Sequence, residues 1–156
     1  MTQSILALAD VATPMAIRVA ATLGLAKHPE GTAAELASAT GTAPSALACL
    51  LDHLVTAGVF AFDAESGRYR PTELGAQLRD DDTHRLLDIR SAGGRAELAF
   101  ADLLGTITTG APAYDHRYGR DFWTDIDAEP RLRRSFDAQM NWRFRVQAPQ
   151  IAERFD

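Results

Sequence analysis

Apolar residues recur at helical spacing along most of the chain, and strand-like alternation is confined to one short stretch. After an initial helical run, Thr13-Pro14 predicts an N-cap followed by proline at the first helical position. The helix that follows extends to about Leu25 and is apolar on nearly all sides. Such a helix must be covered on nearly all sides, so we predict an interface with a second copy of the chain, while a central position in this chain's own core would give the same pattern. The predicted interface residues are Met15, Ile17, Val19 and Leu23.

Helix-start and helix-stop residues divide the next segment into two short helices. Thr32, with Glu35 three residues later, has the form of a capping box, and the helix that it opens ends at Gly41. The second helix extends from Pro44 to about Gly58. Alternating residues and a glycine turn then predict a β-hairpin. Helix, turn, helix and hairpin together predict a winged helix over about residues 32–78.

The rest of the chain is predicted to be helical. One helix is interrupted near Gly93-Gly94, a long amphipathic helix ends at Gly110, and the last helix extends from Pro130 to Pro149. We therefore predict a mainly α fold. Residues 1–90 form a winged-helix-like dimerisation region with one small β-hairpin, and residues 91–156 supply helices that line a substrate pocket.

Composition is that of a globular protein of ordinary domain size, with 156 residues, 46% hydrophobic and 24% charged. The net charge of −5 provides no overall attraction to nucleic acid or to an anionic membrane. No segment is expected to approach the ~20 apolar residues that span a bilayer. We predict a cytoplasmic protein without nucleic-acid or membrane partners. The single cysteine, Cys49, lies among leucines and is expected to be a small core residue.

The winged helix raises the possibility of DNA binding, but its second helix lacks the chemistry for it. Between Pro44 and Ala57 there is no Lys or Arg, and Asp52 would approach the phosphates with a negative charge. The hairpin carries Arg68 and Arg70, which nearby acidic residues offset. We keep a winged-helix regulator that senses a small molecule as an alternative.

Recognisable catalytic motifs are absent from the sequence. There is no Gly-x-Gly-x-x-Gly loop after a strand and no Gly-x-Ser-x-Gly elbow, and the four histidines lack the spacing of a zinc site. What stands out is the run from Gly110 to Met140, which concentrates aromatic residues and arginines. We interpret this run as one wall of a binding pocket.

The order of these features resembles the N-terminal domain of the S-adenosylmethionine-dependent small-molecule O-methyltransferases, in the actinobacterial branch that acts on aromatic polyketides. The segments that carry the resemblance are Ala12 to Ala20, Leu50 to Leu54, Thr109 to Tyr114, Phe122-Trp123, and Ser135 to Asp137 with Met140. The resemblance implies a homodimer, an aromatic small-molecule substrate, and S-adenosylmethionine as cofactor. In the family a Rossmann-like domain binds most of that cofactor, and this sequence does not contain it. The chain alone is therefore expected to be inactive.

The same resemblance implies roles for residues of the last predicted helix. Phe136 and Met140, one helical turn apart, resemble the aromatic residue and methionine that close over the substrate and the sulfonium end of the cofactor, although ordinary core packing gives the same spacing. Arg134 resembles an arginine that meets the cofactor's carboxylate, which a guanidinium fork suits. Because Arg131 and Arg133 lie beside it, a solvated basic surface is the alternative.

Other residues resemble positions that line the family's substrate pocket. Ser91 and Gly94 fall in the helix break, where small side chains leave room for a polycyclic substrate, or where glycine simply bends the helix. Arg143 resembles a polar position that faces the substrate, and Trp142 suits either stacking on a planar ligand or plugging the end of the domain. The remaining substrate-binding candidates are Leu98 and Trp123.

In that family a phenolate or hydroxyl oxygen attacks the sulfonium methyl group, and most of the rate comes from positioning and dehydrating the reactants. One relative uses the same fold and cofactor to promote hydroxylation, so the fold does not determine the reaction. Methyl transfer is our first hypothesis. The alternatives are a hydroxylase- or decarboxylase-like relative, the small-molecule-sensing regulator, and a non-catalytic partner that completes another chain's active site.

Overall fold

A computed structural model describes residues 4–155, and 73% of it is helical. The helices are α1 (Ile5–Leu8), α2 (Ala12–Leu23), α3 (Ala33–Thr40), α4 (Pro44–Thr56), α5 (Glu73–Ala76), α6 (Asp81–Leu87), α7 (Ala92–Leu98), α8 (Leu103–Thr109), α9 (Ala113–Tyr118), α10 (Phe122–Ala128) and α11 (Pro130–Phe155). Short 3₁₀ helices occupy Leu25–Lys27, Gln77–Arg79 and Ala99–Asp102. Strands β1 (Phe60–Asp63) and β2 (Arg68–Pro71) form one antiparallel hairpin in the described part of the chain. The predicted mainly α fold with a single small hairpin is confirmed.

The described chain divides into two compact units, one ending at His84 and the other beginning at Arg85. The first unit contains α1 to α5 and the hairpin, the second contains α7 to α11, and α6 lies across the boundary. In the first unit α3 packs against α4, and α4 packs against α2 and β1. The assignment of dimerisation to residues 1–90 and of substrate binding to residues 91–156 stays a prediction.

Three leucines of α4 form the centre of the first unit's core. Leu47, Leu51 and Leu54 follow the i, i+4, i+7 spacing of one helix face, and all three are buried together with Phe60 of β1. Cys49 is exposed, so the prediction that it belongs to the core was wrong. The reason is helical geometry, because a residue two positions after Leu47 lies on roughly the opposite side of the helix.

The first unit's helix ends are fixed mostly by local hydrogen bonds. The predicted capping box is present, since the hydroxyl of Thr32 accepts from the amide of Glu35 at 3.2 Å and the carboxylate of Glu35 accepts from the amide of Thr32 at 2.9 Å. The predicted cap at Thr13 is wrong, because α2 begins two residues before Pro14, its N-cap residue is Val11, and the Asp10 side chain supplies the capping hydrogen bonds. The Asp10 carboxylate accepts from the amides of Ala12 and Thr13 at 3.0 and 3.3 Å. These amides have no partner within the helix.

The hairpin is tied to α4 and to the segment before α3 by side-chain contacts. The Tyr69 hydroxyl donates to the carboxylate of Asp52 at 2.7 Å, and this bond, with burial, raises the pKa of Tyr69 to about 12. Arg68 pairs with Glu30 and Glu35 at 3.1 and 3.2 Å. The acidic residue of α4 and one of the two hairpin arginines are therefore already engaged within this unit.

The second unit has a small core of its own, formed by Ala92 of α7, Ile126 of α10 and Leu132 of α11. The start of α7 is anchored to α11, because the hydroxyl of Ser135 accepts from the amide of Ala92 at 2.9 Å. Helix α11 continues through Pro149, where the prediction ended it. Proline removes one backbone donor, and on this exposed stretch water can replace the missing bond.

One stretch, Ile5–Leu23, is long and apolar enough to cross a membrane by length and composition. The expectation that no segment approaches that length was therefore wrong. The same length and composition occur in core helices of globular proteins. In the structure the stretch is divided into α1 and α2, with the Asp10 carboxylate between them, and 17% of it is buried. Most of its residues thus keep some surface accessible to solvent, and those of α1 are exposed.

Candidate functional site

Helix α11 directs three of the predicted ligand-binding residues into one cavity. Phe136, Met140 and Arg143 share a helix face because they are separated by four and three residues. The cavity has a volume of 250 Å³, and α7 and α10 supply its other walls. We call it the α11 cavity, and its lining residues are Gly93, Ala96, Glu97, Phe122, Phe136, Gln139, Met140 and Arg143.

Aromatic rings form one side of the α11 cavity and its surroundings. The Phe136 ring lies 5.9 Å from Phe122 and 5.4 Å from Trp123, in both cases nearly edge to face. Trp123 is 57% exposed, so its ring is accessible to a ligand. Edge-to-face packing holds each ring in a defined orientation and leaves ring faces open for a planar molecule.

Polar groups also line the α11 cavity. Arg143 is exposed and brings a positive charge, while Glu97 and Gln139 add an acidic group and an amide to the lining. The approach of α7 to α11 is close here, because a Cβ on Gly93 would lie 2.6 Å from the amide oxygen of Gln139. The cavity therefore combines aromatic walls with one cation and with groups that can donate and accept hydrogen bonds.

A second cavity of 370 Å³ lies beside α8, and we call it the α8 cavity. Its lining residues are Ala96, Ala99, Phe100, Leu103, Thr106, Pro112, Ala113, Tyr114 and Phe122. Ala96 and Phe122 line both cavities. The hydroxyl oxygen of Thr106 is buried and has no hydrogen-bond partner among residues 4–155.

A buried polar network fixes the helices that form these walls. Asp125 of α10 is 6% exposed, and one of its carboxylate oxygens accepts from the Tyr114 hydroxyl at 2.5 Å and from the Arg95 guanidinium at 2.6 Å. Arg95 also donates to the Tyr114 oxygen at 3.2 Å and stacks over the ring of Tyr118 at 3.9 Å. The network joins α7, α9 and α10.

Burial and hydrogen bonding both act on the pKa values of Asp125 and Tyr114. Burial acts to raise the pKa of Asp125, but hydrogen bonds from Tyr114 and Arg95 and the nearby arginine charges outweigh it, so the pKa is lowered. Burial raises the pKa of Tyr114 to about 12, with its bond to Asp125 adding to the effect and Arg95 opposing it. At neutral pH Tyr114 is therefore a protonated donor, which suits a structural role and not that of a general base.

The structure places the other predicted substrate residues at varied positions in the second unit. Ser91 is buried, and its hydroxyl caps α7 by accepting from the amide of Gly94 at 2.9 Å. Gly94 packs against backbone, since a Cβ there would lie 2.1 Å from the carbonyl oxygen of Asp88. Leu98 and Trp142 are half-buried and lie outside the lining of the α11 cavity. Roles in substrate binding stay predictions for all eight candidates.

The residues predicted to contact a cofactor or a second copy are partly or fully accessible. Arg134 is exposed and has no ion-pair partner in the described part of the chain, whereas the neighbouring Arg133 pairs with Asp127. On α2 the predicted interface residues are all half-buried: Met15, Ile17, Val19 and Leu23. Their roles also stay predictions.

Sequence reasoning missed part of the cavity walls and all of the polar network. Gln139 could have been predicted from its spacing, because it lies three residues after Phe136 on nearly the same helix face. Glu97 and the network between Arg95, Tyr114 and Asp125 had no such signal. Arg95 and Asp125 are separated by 30 residues, and tertiary packing alone brings them together.

Comparison with known proteins shows to which proteins the chain is similar. Residues 6–80 match the family model of the O-methyltransferase dimerisation domain. The chain is 47% identical to 2,7-dihydroxy-5-methyl-1-naphthoate 7-O-methyltransferase of Streptomyces carzinostaticus, over 96% of this chain and 47% of that protein. It is 45% identical to aclacinomycin 10-hydroxylase RdmB of Streptomyces purpurascens, over 86% of this chain and 38% of that protein.

A solved structure shows the same fold. The O-methyltransferase NcsB1 from neocarzinostatin biosynthesis, in complex with S-adenosyl-L-homocysteine and 1,4-dihydroxy-2-naphthoic acid, superposes with a TM-score of 0.90 at 45% identity. The match covers 100% of this chain and 49% of that one. The chain thus spans about half the length, or less, of the relatives that it matches.

Proposed function

The chain belongs to the O-methyltransferase dimerisation-domain family, and from this premise we propose that it is the dimerisation and substrate-binding part of an S-adenosylmethionine-dependent O-methyltransferase. The acceptor is a hydroxyl group of an aromatic polyketide-type compound. The observation that carries the proposal is the α11 cavity, where Phe136 and Met140 form an apolar wall beside the positive charge of Arg143.

The chemistry of the α11 cavity fits a planar aromatic ligand that carries oxygen substituents. Ring faces near Phe136 and Trp123 suit stacking, and Arg143 and Gln139 suit phenolic or carboxylate oxygens. A related methyltransferase is named for a dihydroxynaphthoate, and the solved relative holds a dihydroxynaphthoic acid. We infer a substrate of the same class, an aromatic phenol with a second acidic or hydroxyl group.

When bound, S-adenosylmethionine supplies a methyl group on a positively charged sulfur. Arg134 fits its carboxylate, because this exposed guanidinium has no ion-pair partner among the described residues. The sequence has no glycine-rich loop after a strand, so we assign the remaining cofactor contacts to a part of the protein outside residues 1–156. The contribution of this chain is then to hold the acceptor ring, orient its hydroxyl group and exclude water.

A second copy of the chain is the proposed cover for the apolar N-terminal surface. Ile5–Leu23 is apolar over its length, yet 17% of it is buried within the chain. The predicted interface residues of α2 are half-buried in the single copy, and packing a copy of α2 against them would remove the apolar surface that is still accessible from water. A cytoplasmic location, expected of a biosynthetic enzyme of this kind, stays a prediction.

Hydroxylation in place of methyl transfer is the second candidate function. It is favoured by the similarity to a hydroxylase at 45% identity, which is close to the 47% identity with a methyltransferase. Identity at this level does not separate the two reactions. The regulator alternative is weakened because Asp52 and Arg68 are engaged in contacts within the first unit.

The native gene provides the first test of the proposal. Reading it past the codon for Asp156 is expected to show a frame that continues into an apolar strand ending in Asp-x-Gly-x-Gly, a cofactor loop that residues 1–156 do not contain. A stop codon directly after Asp156 would contradict the enzyme proposal for this protein. Salt-dependent binding to duplex DNA would then favour the regulator.

The complete gene product provides the second test. It is incubated with S-adenosylmethionine and a hydroxynaphthoate, and the product is identified by mass spectrometry. We expect the addition of a methyl group to one oxygen. Addition of an oxygen atom would identify the hydroxylase alternative, and unchanged substrate with a panel of aromatic phenols would contradict both reactions.

A further inference from the structure

Gly93 occupies a position of α7 whose backbone does not require glycine. It lies in the first turn of the helix and is not among the glycines with a positive φ, so alanine would be the better helix former there. Gln139 supplies a reason for the glycine. A Cβ on Gly93 would lie 2.6 Å from the amide oxygen of Gln139, 2.9 Å from its amide nitrogen and 3.1 Å from its Cδ. The carboxamide of Gln139 therefore lies against the backbone of α7 at the place where any larger residue would put a side chain.

The carboxamide of Gln139 has hydrogen-bonding groups to offer to a ligand. Its side chain is half-buried in the lining of the α11 cavity and forms no hydrogen bond with residues 4–155. Neither its oxygen nor its nitrogen is fully buried. Gln139 also lies on the helix face of Phe136 and Arg143, three residues after the first and four before the second. A ligand in the cavity can therefore reach the amide.

The polar side chains of the α11 cavity differ in the hydrogen bonds that they can form. Among residues 4–155, those that line the cavity are Glu97, Gln139 and Arg143. A guanidinium only donates and a carboxylate only accepts, whereas an amide does both. A neutral phenolic hydroxyl also donates and accepts, so it is complementary to Gln139. Arg143 suits an acidic substituent of the same ligand.

We propose that Gln139 is a specificity-determining residue whose carboxamide binds a ring hydroxyl of the aromatic substrate, and that Gly93 positions the carboxamide for this contact. The proposal rests on the proposed function, because it places the aromatic ring of the substrate in the α11 cavity. The contact favours aromatic acids that carry a hydroxyl group over the same acids without one.

The role of Gly93 is exerted through Gln139. The atoms that a Cβ on Gly93 would meet are the far end of a flexible side chain, which can move away while the backbone of α7 stays in place. A larger residue at this position is therefore expected to displace the carboxamide and to keep the fold. This separates ligand recognition from stability in the experiment.

The test measures the affinity of the complete gene product for a panel of hydroxynaphthoate isomers and for the naphthoate that lacks the hydroxyl group, by titration calorimetry. The ratio of the two affinities is the hydroxyl preference. We expect at least one isomer to give a preference of about fivefold in the wild-type protein, and Gln139→Leu to reduce it to about one, because the hydrogen bond is lost. Gln147→Leu makes the same change at an exposed position of α11 and should keep the wild-type preference.

Gly93→Ala tests the positioning role with Gln139 still present. We expect the hydroxyl preference to fall about threefold, the affinity for naphthoate to stay within about twofold, and Tm to equal or exceed that of the wild type. A merely structural role of Gly93 would lower Tm and weaken both ligands together. The control is Gly105→Ala, in the first turn of α8, where a Cβ would meet no atom within 4 Å. It should leave the preference unchanged.

A double variant shows whether the two residues act together. If Gly93 acts through Gln139, then Gly93→Ala combined with Gln139→Leu has the same hydroxyl preference as Gln139→Leu alone. A further change of the preference on adding Gly93→Ala would contradict the positioning role. A preference lost in Gln139→Leu and fully kept in Gly93→Ala would contradict it as well.

The outcomes separate this assignment from the proposed function. A hydroxyl preference that survives in Gln139→Leu would overturn the role of Gln139 and leave an aromatic-acid site standing. The same holds for a wild-type protein that binds naphthoate and every isomer equally well. If neither naphthoate nor any isomer binds, the aromatic-substrate proposal fails, and the assignment of Gln139 fails with it.

Discussion

The two units of the chain bury different kinds of side chains. The first unit's core is a stripe of leucines from α4 with Phe60, and the side chains of its capping box at Thr32 are exposed. The second unit buries a carboxylate, Asp125, and contains cavities among its helices, including the α8 and α11 cavities. A close-packed apolar core suits a rigid frame, whereas cavities held open by a buried polar network suit ligand binding.

The exposed apolar residues are also distributed differently in the two units. In the described part of the first unit, four of the six exposed large apolar residues form a continuous N-terminal stretch between Ile5 and Val11, and the other two are Phe62 on β1 and Leu74 on α5. In the second unit they lie on several elements, among them Phe100 and Ile107 near α8 and Phe144 on α11. A continuous apolar surface suits a partner helix, while separated apolar residues around cavities suit smaller ligands and other contacts. The comparison therefore supports a frame that dimerises and a second unit that binds substrate.

The largest expected effect on stability comes from the leucine core of the first unit. Leu51→Ala removes a side chain that is 0% exposed, and we expect the free energy of unfolding to fall by about 3 kcal/mol. Chemical denaturation of the two proteins measures this difference. Cys49→Ala, at an exposed position on the same helix, is the control and should change the free energy by less than about 0.5 kcal/mol. Equal losses in both variants would show that α4 does not form a core.

The proposed dimer surface gives the next effect. Val19→Asp places a charge on α2 where a second copy is proposed to pack, so we expect the dissociation constant of the dimer to rise about a hundredfold. Analytical ultracentrifugation over a range of concentrations measures it. Ala46→Asp introduces the same charge at an exposed position of α4 and should leave the dissociation constant unchanged. A monomeric wild-type protein would contradict the proposal that α2 packs against a second copy of the chain.

The buried network of the second unit should contribute less than the leucine core. Asp125→Asn keeps the shape but loses the charge that Arg95 and Tyr114 contact, and we expect a loss of about 2 kcal/mol in the free energy of unfolding. Asp127→Asn is the control, since the ion pair of Asp127 with Arg133 is largely exposed and should contribute less than about 0.5 kcal/mol.

The pH dependence of stability sharpens this prediction. Because the folded state lowers the pKa of Asp125, its contribution is fully present above the ordinary aspartate value of about 4 and is lost as pH falls through the lowered value. Wild-type stability should therefore decrease more steeply below about pH 4 than that of Asp125→Asn. Parallel curves for the two proteins would show that the carboxylate is not held in its charged form by the network.

The smallest of these effects concerns ligand affinity in the α11 cavity. Phe136→Ala removes the ring between Phe122 and Trp123, and we expect the affinity for a hydroxynaphthoate to fall about tenfold. Phe144→Ala removes a ring that is 72% exposed on the same helix and serves as the control. Titration calorimetry measures both. A larger loss of affinity with Phe144→Ala than with Phe136→Ala would show that the ligand binds outside the α11 cavity.

Local signals in the sequence were sufficient to predict much of the secondary structure of the first unit. The capping box of Thr32 and Glu35 and the glycine stop at Gly41 act within a few residues, so the sequence alone predicted them. Two of the errors there came from competing local choices. Val11 is the N-cap residue of α2 in place of Thr13, with hydrogen bonds from the amides to Asp10, and the inward stripe of α4 leaves Cys49 on the outer side.

The candidate site was predictable only on one of its walls. Phe136, Met140 and Arg143 share a helix face, and helical periodicity is enough to group them. The walls that α7 and α10 supply, with Glu97 and Phe122, come from helices whose packing depends on contacts distant in sequence. No spacing rule indicates that Asp125 meets Arg95, because the chain turns several times between them.

The most direct test of a dimerising first unit and a substrate-binding second unit is hydrogen–deuterium exchange. It is measured on the complete gene product with and without a hydroxynaphthoate and S-adenosylhomocysteine. We predict that the ligands slow exchange in residues 93–98, 122–128 and 132–143, around the α11 cavity, and leave residues 44–71 of the winged helix unchanged. Slower exchange confined to residues 44–71, or no change in any segment that the ligands should contact, would contradict the account.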